Sequence, residues 1–404
     1  MSSLPQQTVR RRRVFYIPGY DPIHPRRYRE LYRKEGAEQA EISGYAIDLQ
    51  AKRGKKRYGW SVRGEMDGAT VDAEFDVLVW SDIVRDSMER GIVGTYLLMI
   101  RTAWVYIASG ALFRLMRLRK GPVIAALYPV GFLLVQLVIA LLLAWGLGSL
   151  LAAYVHPWLF WAGLVVVPFA LEWFRRKDNK FFAYYLMHDY AYSARHRGAE
   201  PPELETRMAR FTAEIADAMR SDVDEVLVVG HSSGAHLAVS VLADLIRLGY
   251  VPANGPTLSF LSLGQVVPMV SFLPDAKRLR RDLAFLCTRS ELTWVDVTAP
   301  GDGCAFALCD PVAVSGVAPE EGKRWPLILS AAFTQTLSPE RWKALRWRFF
   351  RLHFQYLCAF DQPGDYDYFR ITAGPMTLSE RFEDRPPSPS RIEIAASKYT
   401  STAA

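Results

Sequence analysis

A serine hydroxyl is a weak nucleophile until its surroundings activate it, and residues 230–234, Gly230-His231-Ser232-Ser233-Gly234, have the types and spacing for that. In a G-x-S-x-G pentapeptide set between a strand and a helix, the chain turns so sharply that the serine adopts a strained backbone conformation and its hydroxyl projects from the bend. A side chain at position 230 or 234 would collide with the neighbouring strand or helix, so both positions call for glycine. Ser232 is then the nucleophile. The backbone N–H of Ser233, at the N-terminus of the following helix, can face the oxyanion formed when a carbonyl is attacked, with the helix dipole assisting. His231 adjoins the serine along the backbone and His236 lies one turn along the helix, so neither is well placed to accept its proton.

The elements around this pentapeptide suit the motif. Val226-Leu227-Val228-Val229 is a bounded, β-branched run, apolar on consecutive positions, as expected of a central parallel strand covered on both faces. Ala235, Leu237, Ala238, Val241, Leu242, Leu245 and Ile246 predict the next helix, with Gly249 able to end it in a left-handed cap. Before the motif, Leu204, Met208, Phe211, Ile215 and Met219 recur at helical spacing over 202–220. Strands are predicted at 14–17, 45–50, 59–64, 71–80, 258–263 and 292–297, the pair around Met66-Asp67-Gly68-Ala69 forming a hairpin. This alternation predicts an α/β protein with an open, mostly parallel sheet and helices on both faces.

In motif and flanking structure, Val226 to Ala238 resembles the nucleophile elbow of the α/β-hydrolase superfamily, with Val14 to Trp80 and Arg207 to Tyr356 as the covered segments. The resemblance implies a Ser, acid, His order along the chain. His353 is the one histidine after the elbow helix, and so is implied as the base. Its segment Ser338 to Tyr356 also reads as a helix with Leu345, Phe349, Leu352 and Tyr356 on one face, whereas the family sets its base on a loop after a strand. For the acid the resemblance points to Asp302, in the turn after the strand at 292–297, with Asp296 and Asp310 as alternatives; its role would be to fix the imidazole tautomer and stabilise the imidazolium. The turn Gly19-Tyr20, after an early strand, fits the place of the second oxyanion donor. The implied activity is a serine hydrolase of the lipase or esterase kind cleaving an acyl ester or thioester. An acyltransferase of the same chemistry and a catalytically silent scaffold are the alternatives. No G-x-G-x-x-G, Walker A or H-E-x-x-H string occurs, so neither a cofactor nor a metal is expected.

Hydrophobic residues make up 50% of the 404 and charged residues 23%, which excludes a disordered chain and leaves an apolar excess to be located. It lies between Gly121 and Leu171, a stretch without Asp, Glu, Lys or Arg and longer than the roughly 20 residues one membrane crossing needs. Pro157 divides it into predicted helices at 130–153 and 158–173, a transmembrane hairpin with aromatic residues near the break. Arg114, Arg117, Arg119 and Lys120 flank one side and Arg175, Arg176, Lys177 and Lys180 the other, while the turn carries no Lys or Arg, so both soluble parts are expected in the cytoplasm, at a bacterial inner membrane. Gly91 to Phe113 is apolar but carries Arg101 at its middle, which suits an interfacial helix better than a third span. The expected organisation is 1–90, the N-terminal part of the hydrolase domain; 91–120, the interfacial helix; 121–174, the hairpin; 175–382, the main catalytic part; and 383–404, a Pro- and Ser-rich disordered tail. The quartet Arg10 to Arg13 meets Pro18, Gly19 and Pro22 before any apolar run, so no cleavable signal is read there. Net charge is +7, but the basic residues form short clusters without zinc-ligand spacing, favouring an anionic membrane surface and lipid substrate over nucleic acid. Four scattered cysteines (Cys287, Cys304, Cys309, Cys358) form no C-x-x-C pair.

Overall fold

A computed structural model describes residues 8–52, 58–88 and 91–403. One eight-stranded sheet organises the soluble part, in the order β2-β3-β4-β1-β5-β6-β7-β8. The strands are β1 (Arg11–Ile17), β2 (Ala46–Ala51), β3 (Gly59–Met66), β4 (Ala69–Val77), β5 (Glu225–His231), β6 (Thr257–Leu263), β7 (Leu292–Thr298) and β8 (Leu327–Ser330). β3 runs antiparallel to both its neighbours, and from β4 through β1 to β8 all pairings are parallel. Asp67 and Gly68, at φ 54° and 78°, make the tight two-residue turn of the β3–β4 hairpin. The sheet is thus α/β and mostly parallel, and β8 is a strand that the sequence pattern did not announce.

The pleat sends alternate residues of the central strands into two cores. Phe15, Val226, Val228 and Phe260 face one. Val14, Tyr16, Leu227, Val229 and Leu261 face the other. The helices that position the site are α1 (Arg26–Ser43), α2 (Ser81–Met88), α3 (Ile92–Ala108), α4 (Ala111–Leu118), α5 (Lys120–Tyr154), α6 (Val166–Arg176), α7 (Asp178–Phe181), α8 (Ala183–Arg195), α9 (Pro202–Met219) and α10 (Gly234–Arg247). The predicted stripe of α9 is buried in full, from Leu204 to Met219. Past the end of α10, Gly249 at φ 70° lets the N–H of Tyr250 reach Leu245 O, closing the helix in a left-handed cap. At the far end of the sheet, buried Arg12 pairs with buried Glu225, which also accepts from Ser259 Oγ and Leu378 N.

Two helical segments are long and apolar enough to cross a membrane, Lys120–Tyr154 and Pro157–Arg176. α5 begins ten residues before the predicted start and has 35 residues, about 52 Å at 1.5 Å each, against a hydrocarbon core of about 30 Å. The predicted second helix differs as well. Pro157–Val165 is wound as a 3-10 helix and continues into α6. That winding brings backbones together: a Cβ on Gly163 would lie 2.2 Å from Ala144 O, and one on Gly148 2.3 Å from Phe160 O, the small-residue contact typical of membrane helix pairs. The expected single helix at 91–120 is two helices, α3 and α4, broken where Gly110 takes φ 74°. Arg101 of α3 donates to Arg195 O at 3.0 Å. The expected domain boundary at residue 90 lies outside the described residues.

The expected disordered tail is instead laid as an extended strap. Ile392 and Ala396 pack against a buried cluster, and the backbone is hydrogen bonded: Asp310 N to Ile392 O (2.9 Å), Ile392 N to Leu308 O (2.7 Å) and Ser388 N to Ile328 O (2.8 Å). Fully buried Arg280 reaches Ser401 O at 2.9 Å. Truncation after Glu383 therefore leaves several buried polar groups without partners, each costing about 1–3 kcal/mol. The melting temperature of the truncated protein should fall by several degrees in differential scanning fluorimetry; an unchanged value would show that the strap contributes nothing.

Candidate active site

The parallel ladder β5–β6 extends to the elbow, where Ser232 N donates to Leu263 O at 2.9 Å. Ser232 itself has φ 56°, the left-handed conformation expected of a nucleophile at a sharp strand-to-helix turn. The two flanking glycines have the predicted steric reason. A Cβ on Gly234 would lie 2.1 Å from Ile17 O, and one on Gly230 2.8 Å from Ala235 Cα. Gly19 belongs to the same packing problem, since its Cβ would stand 3.0 Å from Ser232 Cβ and 3.4 Å from Oγ. The loop after β1 thus crosses directly over the serine.

That loop is pinned on several sides. Trp80 Nε1 donates to Pro18 O at 2.9 Å and the Tyr185 hydroxyl donates to Tyr20 O. Buried Asp21 accepts from Ile23 N (2.9 Å) and the Tyr28 hydroxyl (2.6 Å). The N–H groups of Gly19, Tyr20 and Ser233 have no hydrogen bond among the described residues, and all three residues line one cavity of about 90 Å³ together with Ser232 and His353. They are available as oxyanion donors.

Of the three acids left open by the sequence, the structure brings Asp302 to His353, with Nδ1 and Oδ2 2.7 Å apart. Both residues are buried. Asp302 Oδ2 also accepts from the Tyr356 hydroxyl (3.0 Å) and Oδ1 from Cys304 N (2.9 Å). Burial by itself would raise the Asp302 carboxyl, but His353 and these donors hold it below its usual value, so it is the ionised acceptor. A carboxylate at Nδ1 fixes the tautomer with Nε2 as the lone-pair nitrogen. Nε2 is buried without a hydrogen-bond partner on the cavity that Ser232 also lines, in the position of a general base. No hydrogen bond joins Nε2 to Ser232 Oγ.

Asp296 and Asp310 go elsewhere. Asp296 lies within β7, accepts from Ser262 Oγ, and is pushed by burial up to about 8. Asp310 caps a helical turn through Val312 N and Ala313 N and pairs with Lys323. The segment Ser338 to Tyr356 is not one helix. It breaks into Pro339–Leu345, Phe349–His353 and a 3-10 turn at Gln355–Leu357, so His353 ends a short turn instead of lying within a long helix. Cys304 Sγ lies near enough to Asp302 and His353 for the three to be a conceivable metal set. Burial raises the Cys304 thiol well above its normal value, which disfavours the thiolate a metal requires, and Asp302 is committed to its three donors.

Several residues enter the site without a sequence signal of comparable strength. Gly264, at φ 54° after β6, makes room for the base: a Cβ there would lie 3.0 Å from His353 Cε1. His231, on the elbow itself, donates from Nε2 to His353 O (3.0 Å), and burial lowers it to about 3, so it stays neutral and holds the backbone of His353. Asp189 of α8 lines the cavity opposite, with burial raising it to about 7 and His353 offsetting part of the rise. The one available signal was a lone acid among the apolar and aromatic residues of α8. Pro122, in the first turn of α5, is also in the wall, and a Cβ on Gly121 would lie 3.2 Å from Gly303 Cα, beside Asp302. The long apolar helix therefore starts on the acid loop, where Arg119 Nε also donates to Ala307 O (2.8 Å).

Compared with family models, with curated proteins and with solved structures, the chain matches none.

The folded value of Asp189 lies above that of an unfolded aspartate, so the native state keeps a proton that the unfolded chain releases, and stability falls as pH rises from about 4 to about 7. Asp189→Asn removes that dependence. Its melting temperature relative to the parent protein should climb across this window; a difference that stays flat from about pH 5 to about pH 8 contradicts the assignment.

Proposed function

We propose that this chain is a membrane-anchored serine hydrolase cleaving the acyl ester or thioester of a lipid through Ser232, His353 and Asp302, on an α/β-hydrolase-type framework. The observation that carries this reading is the pairing of His353 Nδ1 with Asp302 at 2.7 Å, which leaves Nε2 unpartnered on the cavity of a serine held at φ 56°. Ser232 Oγ attacks the carbonyl carbon while its proton passes to His353 Nε2. Asp302 balances the imidazolium, and the N–H groups of Ser233 and Gly19-Tyr20 receive the oxyanion. Collapse of the tetrahedral intermediate expels the alcohol or thiol with the proton from His353, and water then hydrolyses the acyl-enzyme by the same steps.

The anchor and its topology belong to the same reading. β1, before the apolar hairpin, pairs in register with β5, after it, from Arg12↔Glu225 to Ile17↔Gly230. Both halves of the sheet must then lie on one face of the bilayer, which requires an even number of crossings between them. Two crossings, by α5 and by Pro157–Arg176, satisfy this, with α3 beside the bilayer. Exposed Tyr154, Trp158 and Trp161 lie at the turn, and the basic flanks at the base favour the cytoplasmic face.

Ser232→Ala should abolish labelling by a fluorophosphonate probe in native membranes while leaving the melting temperature within a few degrees; labelling that persists removes Ser232 as the nucleophile. Asp302→Asn should lower kcat by about 10⁴-fold with the fold intact, because the amide presents the wrong partner to Nδ1. Near-normal turnover by that variant would dissolve the triad.

A further inference from the structure

A second cavity, of about 150 Å³, lies among α3, α4, α5 and α8. Ala103, Leu112, Leu115, Val123, Ala126 and Met187 line it, drawn from all four helices. It adjoins the catalytic cavity across a shared wall, since Tyr106, Tyr190 and Met269 line both. Along α5 the sequence of contacts is ordered: Pro122 lines the catalytic cavity and Val123, Ala126, Leu127 and Val130 line the second one. From Val123 to Val130 is about 10 Å of helix running toward the apolar segment. At the outer side, Ile107 and Leu127 line the cavity while 49% and 43% exposed, apolar lips on the surface that faces lipid in the proposed topology.

From this juxtaposition we infer that the second cavity is an acyl-chain site: it takes the alkyl tail of a lipid ester directly from the bilayer along α5, placing the carbonyl in the adjoining cavity at Ser232. The inference rests on the hydrolase reading and names the substrate class for it, a single unbranched aliphatic chain. Nothing in the lining provides a charge for a polar headgroup, and the only hydroxyls there are those of Thr102, Tyr106 and Tyr190, with Tyr106 already bonded to Met269 O at 3.0 Å. A water-soluble acid or sugar would leave its polar groups unpaired against this wall, whereas each methylene taken from water favours binding.

The experiment uses the full chain in phosphatidylcholine–phosphatidylglycerol nanodiscs with p-nitrophenyl esters of rising acyl length. kcat/KM should rise by about fourfold per added methylene and then level off once the cavity is filled. Ala126→Phe and Ala103→Phe, which narrow the cavity from α5 and α3, should each lower the ratio of dodecanoate to butyrate turnover by about tenfold or more. A ratio that both folded variants leave unchanged overturns the site. Should the variants not fold, a diazirine-bearing fatty acid on the unmodified protein decides: cross-links within residues 103–130 and at Tyr190 support the site, and cross-links confined to other surfaces overturn it. The two readings also separate. Cross-links at these residues without Ser232-dependent ester cleavage keep the chain site and defeat the hydrolase. Cleavage without chain-length preference does the reverse.

Discussion

The backbone of the loop after β1 and the backbone of the elbow after β5 touch, and the rest of the site is arranged around that contact. Gly234 fits beneath the carbonyls of Ile17 and Pro18 with no room for a Cβ, and Gly19 fits over Ser232, where a Cβ would be tight at 3.0 Å. Such an approach is possible only because β1 and β5 are adjacent parallel strands that end at the same level, Ile17 opposite Gly230. It sets the unused N–H groups of both loops around one point, which is how a donor pair can be organised before a substrate arrives. The strained serine is held by its own turn, through Ser232 N to Leu263 O and Ala235 N to Ser232 O, and by the neighbouring loop, tied through Trp80, Tyr185 and Asp21.

Electrostatics sorts the titratable groups of the same cavity into fixed roles. Burial keeps His231 neutral and Asp189 protonated up to about 7, while the donors around Asp302 keep it ionised. Two carboxyls close to one imidazole are therefore pushed in opposite directions, Asp302 down and Asp189 up to about 7. Pairs of like groups pushed in opposite directions by their surroundings are a common way of assigning acid and base roles.

The parts of the site that were legible in the sequence are those encoded locally. A β-branched run, two glycines and an apolar helix stand next to each other at 226–246, so Ser232 and the Ser233 N–H could be read in place. Asp302 could be narrowed to three carboxyls by strand ends, but only the pairing with His353 separates it from Asp296 and Asp310. His353 followed from the resemblance as the one histidine after the elbow helix, but its short helical turn did not, because that turn packs on Gly264 after β6 and on Asp302 through Tyr356. Pro122 was invisible and Asp189 showed only as a lone acid in α8, both being brought to the site by the packing of helices that look like an insertion. The tail was misread because its order comes from backbone hydrogen bonds to residues 308–314 and 328, which composition does not record.

The apolar hairpin interrupts the sheet between β4 and β5, and this has a consequence for the order of events at the ribosome. Strands β1 to β4 are synthesised first, with β1 as an open edge whose partner does not yet exist. On the proposed topology the hairpin must enter the bilayer while that edge is waiting, and only then does β5 emerge to cover it. An uncovered parallel edge is a template for pairing with other chains. On that topology biogenesis has a vulnerable interval that includes the time of membrane insertion, and factors that hasten insertion would protect the sheet.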